Sequence, residues 1–304
     1  MGYHCVVMVK QVPDTKAVTA KAMKDDGTVN RAALPAVFNP EDLNALETAL
    51  QIKDQYGGTV TVICMGPPAA CEILRDSLYR GADRVILISD RRAAASDTLA
   101  TSYILSCAVR QLPKVDLVLC GRQAIDGDTA QVGPQLAEKL GLPQVTYLEK
   151  LMEMTNQHIV VHRNIGNGWE LVRSKLPALV TVIGEANVPR PAAAKRMMRY
   201  KKMRGSVEIA REIAGDKDPA ADPVLKARID ARITEFKAKG NLIEQWNLDN
   251  IKADLAWCGR DGSPTKVHRI QAVVLKGTGH KQFAPNDDGV RDLIHNLIEE
   301  HTLG

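Results

Sequence analysis

Short apolar, β-branched runs alternate with longer amphipathic stretches through the first half of the chain. HCVVMVK (4–10) is followed by the helix-patterned EDLNALETALQIKDQY (41–56), TVTVICM (59–65) by AACEILRDSLYRG (69–81), and RVILIS (84–89) by DTLATSYILSCAVRQL (97–112). VDLVLC (115–120), TAQVGPQLAEKLG (129–141) and a strand around QVTYLEK (144–150) continue the rhythm. Alternation of this kind predicts parallel strands joined by crossover helices, and strands apolar along their whole length predict a sheet covered on both faces. After Lys150 the pieces shorten to HIVVHRN (158–164), WELVRSK (169–175) and PALVTVIG (177–184). A Gly-Asn-Gly turn signal between the first two predicts a hairpin, and so a mixed edge to the sheet. The expected fold class is α/β: a doubly wound, mostly parallel sheet with a C-terminal extension.

Beyond Gly184 the chain turns basic and rich in Pro and Ala, VPRPAAAKRMMRYKKMRG (188–205), the composition of a linker or an interaction arm. Residues 206–241 carry helix formers with alternating charge, and DDGVRDLIHNLIEEHT (287–302) has the pattern of a capped amphipathic helix. The division expected is a main α/β domain over residues 1–190 and a docking loop with a C-terminal arm over 191–304. Apolar residues make up 45% of the 304 and charged residues 25%, as in a chain with an ordinary folded core. A net charge of only +4 and an aromatic fraction of 4% argue against nucleic acid as a partner. No apolar run approaches the roughly 20 residues of a membrane span, and MGYHCVVMVKQVPD turns polar too quickly for a secretory signal, so a cytoplasmic protein without a membrane span is expected. The six cysteines form no C-x-x-C pair and fall in apolar patterns, which predicts reduced structural thiols and no metal.

Chemistry concentrates at four strand-to-helix junctions, where open α/β sheets bind ligands and helix N-termini favour phosphate. In FNPEDLNAL (38–46), Asn39 is placed to cap a helix, Pro40 to begin it, and Glu41 and Asp42 to occupy its first turn. In CMGPPAAC (64–71), Gly66 permits close backbone approach to a ligand. In SDTLATSYIL (96–105), Thr98 and Thr101 share one helical face. GRQAIDGDTAQVG (121–133) is the richest: Gly121 and Gly127 permit tight turns, Asp128 with Gln131 gives a start like a capping box, and N–H groups from Thr129 onward are free for phosphate. Arg122 adds a multidentate cation, whereas Asp126 would repel phosphate and suits ribose hydroxyls or backbone donors. A polar loop with a capped helix is the plainer alternative for this segment. No G-x-G-x-x-G follows a strand, and no P-loop, H-E-x-x-H or G-x-S-x-G is present, so no residue is assigned to hydrolysis or metal binding.

MVKQVPD (8–14), FNPEDLNALETAL (38–50), GADRVILI (81–88), GRQAIDGDTAQVGPQLAEKLG (121–141), SKLPALVTV (174–182) and PRPAAAKRMMRYKK (189–202) follow one another in an order that resembles the electron-transfer flavoprotein beta subunit. The resemblance runs over residues 1–202, with GSPTKV (262–267) also similar. It implies an adenine-nucleotide-binding, Rossmann-like domain paired with an alpha subunit that carries the redox-active FAD. Carried over position by position, the nucleotide contacts are Met8, Asn39, Pro40, Glu41, Asp42, Met65 and Gly66. The loop adds Arg122, Gln123, Ala124, Ile125, Asp126, Gly127, Asp128, Thr129, Ala130, Gln131, Val132 and Gly133.

Ordinary members of that family hold AMP there. GRQAIDGDTAQVG with SDTLATS is more similar to the electron-bifurcating branch, in which FAD fills the pocket and Thr98 and Thr101 become contacts of its flavin half. That branch implies NADH as donor, ferredoxin or flavodoxin as one acceptor and, through the alpha-subunit FAD, an acyl-CoA dehydrogenase-type partner as the other. Arg122 is expected to stabilise negative charge on the reduced ring. Two features depart from the family. Ala194 stands where a docking leucine is usual, leaving Met197 or Met198 for that role, and residues 205–245 form a longer region than expected. The alternatives are a non-bifurcating carrier with AMP in this site and, more distantly, a stand-alone adenine-nucleotide-binding regulator.

Overall fold

The computed structural model describes residues 2–14, 34–215, 217, 221–264 and 281–299. Two compact units divide the chain, Met1–Lys266 and Val267–Gly304. In the first, β1 (Tyr3–Val9) leads into a small antiparallel ribbon of β2 (Gln11–Pro13) and β3 (Ala36–Phe38). The crossover units follow: α1 (Pro40–Tyr56), β4 (Gly58–Met65), α2 (Cys71–Arg80), β5 (Arg84–Ile88), α3 (Thr98–Val109), β6 (Leu117–Gly121) and α4 (Val132–Leu140). Next come β7 (Gln144–Met154), β8 (His158–Asn164), β9 (Trp169–Lys175) and β10 (Ala178–Val182), then α5 (Ala194–Tyr200), α6 (Ser206–Ala214), α7 (Pro223–Ala238) and β11 (Glu244–Trp246). The second unit contributes the amphipathic α8 (Asp287–Glu299), as its pattern predicts; its last expected residues, and residues 265–267 of GSPTKV, lie outside the described residues.

The nine-stranded sheet has the order β11-β5-β4-β1-β6-β10-β7-β8-β9. All neighbours pair in parallel except β7 with β8 and β8 with β9, so the expected doubly wound sheet with a mixed edge is present. The chain builds outward from β1 through β4 to β5, then crosses back to place β6 on the other side of β1. Successive side chains of a strand face opposite ways. Cys5, Val7 and Val9 of β1 accordingly join Leu46, Leu50 and Leu74 of α1 and α2, while Val6 and Met8 join Ile104, Ala108 and Leu136 of α3 and α4. Helix boundaries follow local chemistry. Pro40 opens α1, Asp97 caps α3 by accepting from Ala100 N at 2.9 Å, and Gly141 closes α4 in the left-handed region.

Two elements depart from the sequence reading. The basic segment after Gly184 is tied to the main unit: Arg190 pairs with Glu47 of α1 at 2.8 Å, Ala193 N donates to Tyr79 O at 3.0 Å, and Met203 is buried. β11 is not apparent in the sequence; it extends the sheet beside β5, where Arg84 donates twice to Glu244 at 2.8 and 2.7 Å.

Where the winding reverses, one carboxyl group joins the two central strands. Asp42, in the first turn of α1, is 7% exposed and accepts from Lys10 N at 2.8 Å and Gly121 N at 3.1 Å, just beyond β1 and at the end of β6. The approach is so close that a Cβ on Gly121 would fall 2.4 Å from Asp42 Oδ1 and 2.8 Å from its backbone N. Burial pushes the Asp42 carboxyl up from 3.8 to about 7, against the lowering effect of its hydrogen bonds. Between those values the folded chain retains a proton that the unfolded chain has released, so this group's stabilisation diminishes as pH rises through the window.

Two outcomes are expected. The stability of the natural protein relative to Asp42→Asn, measured by urea denaturation, falls between about pH 4 and about pH 7, and a constant difference would contradict the assignment. Gly121→Ala costs about 1–3 kcal/mol in the same assay, because the new methyl group meets backbone as well as the carboxylate.

Candidate nucleotide site

The carboxyl ends of β1, β4, β5 and β6 open into a cleft of about 660 Å³, at the point where the strand order reverses. Its size is that of a small-molecule or cofactor site, and its position is where open α/β sheets bind ligands. Met8 at the end of β1, Asp42 of α1, Met65 and Gly66 after β4, and Thr98 and Thr101 of α3 all line it. So do Arg122, Gln123 and Ala124 after β6, and the run Gly127, Asp128, Thr129, Ala130, Gln131, Val132 and Gly133 leading into α4. Residues expected from four separate junctions therefore share one cavity.

Asn39, Pro40, Glu41, Ile125 and Asp126 do not line the cleft; most of them brace the loop that does. Asn39 is fully buried, and its side chain donates to Gln123 O at 2.9 Å and accepts from Ile125 N at 3.1 Å. It stands at the start of α1 but makes no side-chain cap bond, because those loop groups occupy its amide. Glu41 accepts from Gln123 N at 2.9 Å and pairs with Arg122 at 3.0 Å. Asp126 pairs with Lys10 at 2.7 Å, joining the loop to the end of β1.

The helix expected from Thr129 begins at Val132 instead. Asp128 and Ala130 have φ values of 54° and 51°, in the left-handed region, which breaks the helical run before it can start. Asp128 and Gln131 consequently form no capping box; Gln131 accepts from Thr98 Oγ1 at 2.9 Å, bridging the loop to α3. The first N–H groups of α4 have no partner within the helix, as at any helix start. A Cβ on Gly133 would lie 2.7 Å from Thr181 Cγ2, so glycine lets α4 settle directly on β10. At Gly127 a Cβ would meet no protein atom within 4 Å, so the space beside it is open within the cleft.

Sequence reasoning missed the wall between β5 and α3. Ser89, Asp90, Arg91 and the residues from Ala93 to Asp97 line the cleft, as does Lys10. The strand-end rule that singled out the other junctions applies equally to RVILIS followed by DRRAAASD. Asp90 anchors this wall by accepting from Arg92 N at 2.9 Å and pairing with Arg92, which also pairs with Asp249 at 2.7 Å. The Arg92 hydrogen bonds hold the Asp90 carboxyl down at about 2.

The lining combines glycine-rich backbone, hydroxyls, two guanidiniums (Arg91 and Arg122), the Lys10 ammonium and apolar Met8, Ile63 and Leu105. This donor set fits a nucleotide with phosphate at the start of α4 and a planar group among the apolar side chains. Among the described residues there is no cluster of His, Cys, Asp and Glu suited to a metal ion, and no helix is long and apolar enough to cross a membrane. All six cysteines are buried and unbridged.

Comparison with known proteins places the chain in a family. Residues 26–205 match the electron transfer flavoprotein domain. The chain is 40% identical over 300 residues to the electron transfer flavoprotein subunit beta of Clostridium acetobutylicum, across 99% of this chain and 100% of that one. It is 38% identical to the caffeyl-CoA reductase-Etf complex subunit CarD of Acetobacterium woodii, covering 98% and 99% of the two chains. The acryloyl-CoA reductase electron transfer subunit gamma of Anaerotignum propionicum is also 38% identical, with 98% of each covered. The chain belongs to the electron transfer flavoprotein family, in its beta-subunit branch.

Proposed function

We propose that the chain works as the beta subunit of a heterodimeric electron transfer flavoprotein and holds FAD in the cleft beyond β1, β4, β5 and β6. The observation that carries this reading is the extent of the cleft: one cavity of about 660 Å³ is lined both by the Gly127–Gly133 loop and by the residues that follow β4 and β5, among them Gly66, Pro67, Ser89 and Ala95. A mononucleotide would use the loop end alone. Two relatives support the same direction, since their names tie them to a caffeyl-CoA reductase-Etf complex and to acryloyl-CoA reductase.

In this reading the open N–H groups at the start of α4 hold the pyrophosphate, and Gly127 leaves room beside it. Thr98 and Thr101 contact the edge of the ring system, Met8 and Met65 supply apolar surface, and Arg122 adds positive charge. When bound, FAD supplies the exchange between two-electron and one-electron transfer. The complex would take electrons from NADH and deliver them to ferredoxin or flavodoxin and to an acyl-CoA dehydrogenase-type partner bound with the alpha subunit. Met197 and Met198, both exposed on α5, are the apolar contacts offered to that dehydrogenase.

Two measurements test the reading. Denaturing the heterodimer co-purified with its alpha subunit releases two FAD molecules per complex; one FAD and one AMP would make the chain a non-bifurcating carrier. Arg122→Ala shifts one flavin potential downward with little effect on thermal unfolding, and unchanged potentials would remove Arg122 from this role.

A further inference from the structure

A distortion in β7 lies immediately behind the cleft. Between Val180 and Val182 the pairing of β10 moves from Val145 to Leu148 of β7, so β7 carries one extra residue there, a β-bulge. Tyr147 sits in that bulge with φ of 60°, a conformation that bulky side chains rarely adopt. Its N–H leaves the ladder and donates to Thr181 Oγ1 at 3.1 Å. Strain of this sort persists where the surroundings enforce it, and it concentrates at functional sites.

The bulge reaches the cleft by two routes. The Arg122 guanidinium lies 5.6 Å from the centre of the Tyr147 ring, and Arg122 N donates to Val182 O at 2.9 Å. Thr181, which accepts from the bulge, is also the side chain on which Gly133 rests at the start of α4. Arg122 is thus flanked by Glu41, at 3.0 Å, and the ring of Tyr147. Glu41 offsets part of the guanidinium's charge and, acting alone, would draw it toward α1. The ring holds the cation without neutralising it.

We infer that Tyr147 is a positioning residue: the left-handed bulge in β7 sets its ring against Arg122 and so fixes the cation that the cleft presents to an electron-rich edge of its nucleotide cofactor. This deepens the proposed function and rests on it for the identity of that cofactor.

The test uses the heterodimer carrying Tyr147→Phe, Tyr147→Leu and Tyr147→Gly, with and without Arg122→Ala. The readout is the dissociation constant of the nucleotide that the natural complex releases, FAD or AMP, together with the flavin potentials and the melting temperature. Tyr147→Leu weakens binding by about two- to fivefold, and Tyr147→Phe, which keeps the ring and loses the hydroxyl that also reaches Arg122, recovers part of that loss. Tyr147→Gly shows the same weakening at an unchanged or raised melting temperature, because glycine accepts the positive φ. In the Arg122→Ala background the loss disappears. An equal loss with and without Arg122, or no loss in Tyr147→Leu, overturns the inference whichever nucleotide is bound. Release of AMP in place of the second FAD overturns the bifurcating reading instead, and the affinity cycle still decides the role of Tyr147.

Discussion

The architecture of the cleft depends on a buried carboxyl group that receives two backbone N–H groups from different strands. Asp42 links the residue after β1 to the last residue of β6, and these are the strands between which the winding of the sheet reverses. Reversal sends the chain beyond these paired strands to opposite faces of the sheet, where α1 and α4 pack. The shared acceptor holds the two strand ends together, and the absence of a Cβ at Gly121 permits the approach. Desolvation then makes the carboxyl harder to ionise than an ordinary aspartate, so the junction combines hydrogen bonding with a proton held near neutral pH.

From that junction the site is built in two layers. Side chains at the start of α1 hold the loop after β6 from behind: Asn39, just before the helix, through Gln123 and Ile125, and Glu41 through Arg122 and Gln123. The front layer leaves backbone, hydroxyls and charged side chains, among them Lys10, Arg91 and Arg122, at the cleft. Such a division suits a protein whose cofactor performs the chemistry, because rigid supports set the position of the donors and no side chain has to react.

Much of this was legible in the sequence. Continuous apolar strands, regular spacing of amphipathic helices and the Gly-Asn-Gly turn give the sheet and its mixed edge, because burial on both faces leaves no polar alternation. The four junctions were visible through their glycines and capping residues. What escaped was set by long-range contact. Asn39 reads as a cap, yet its amide is taken by a loop more than eighty residues away. The start of α4 is delayed by left-handed residues at Asp128 and Ala130, neither of them a glycine. β11 is three residues long and contains Glu244, which enters the sheet by pairing with Arg84. The bulge at Tyr147 has no local signature at all, since VTYLE is an ordinary strand sequence.

The central claim is that backbone groups at several strand ends surround an extended dinucleotide, with its ring system toward α3 and Arg122. A density map of the intact heterodimer tests this most directly. The account predicts continuous density for FAD from the Gly127–Gly133 loop to the residues that follow β4 and β5. Density ending at a single phosphate and ribose, or a cleft filled by side chains of either subunit, would contradict it.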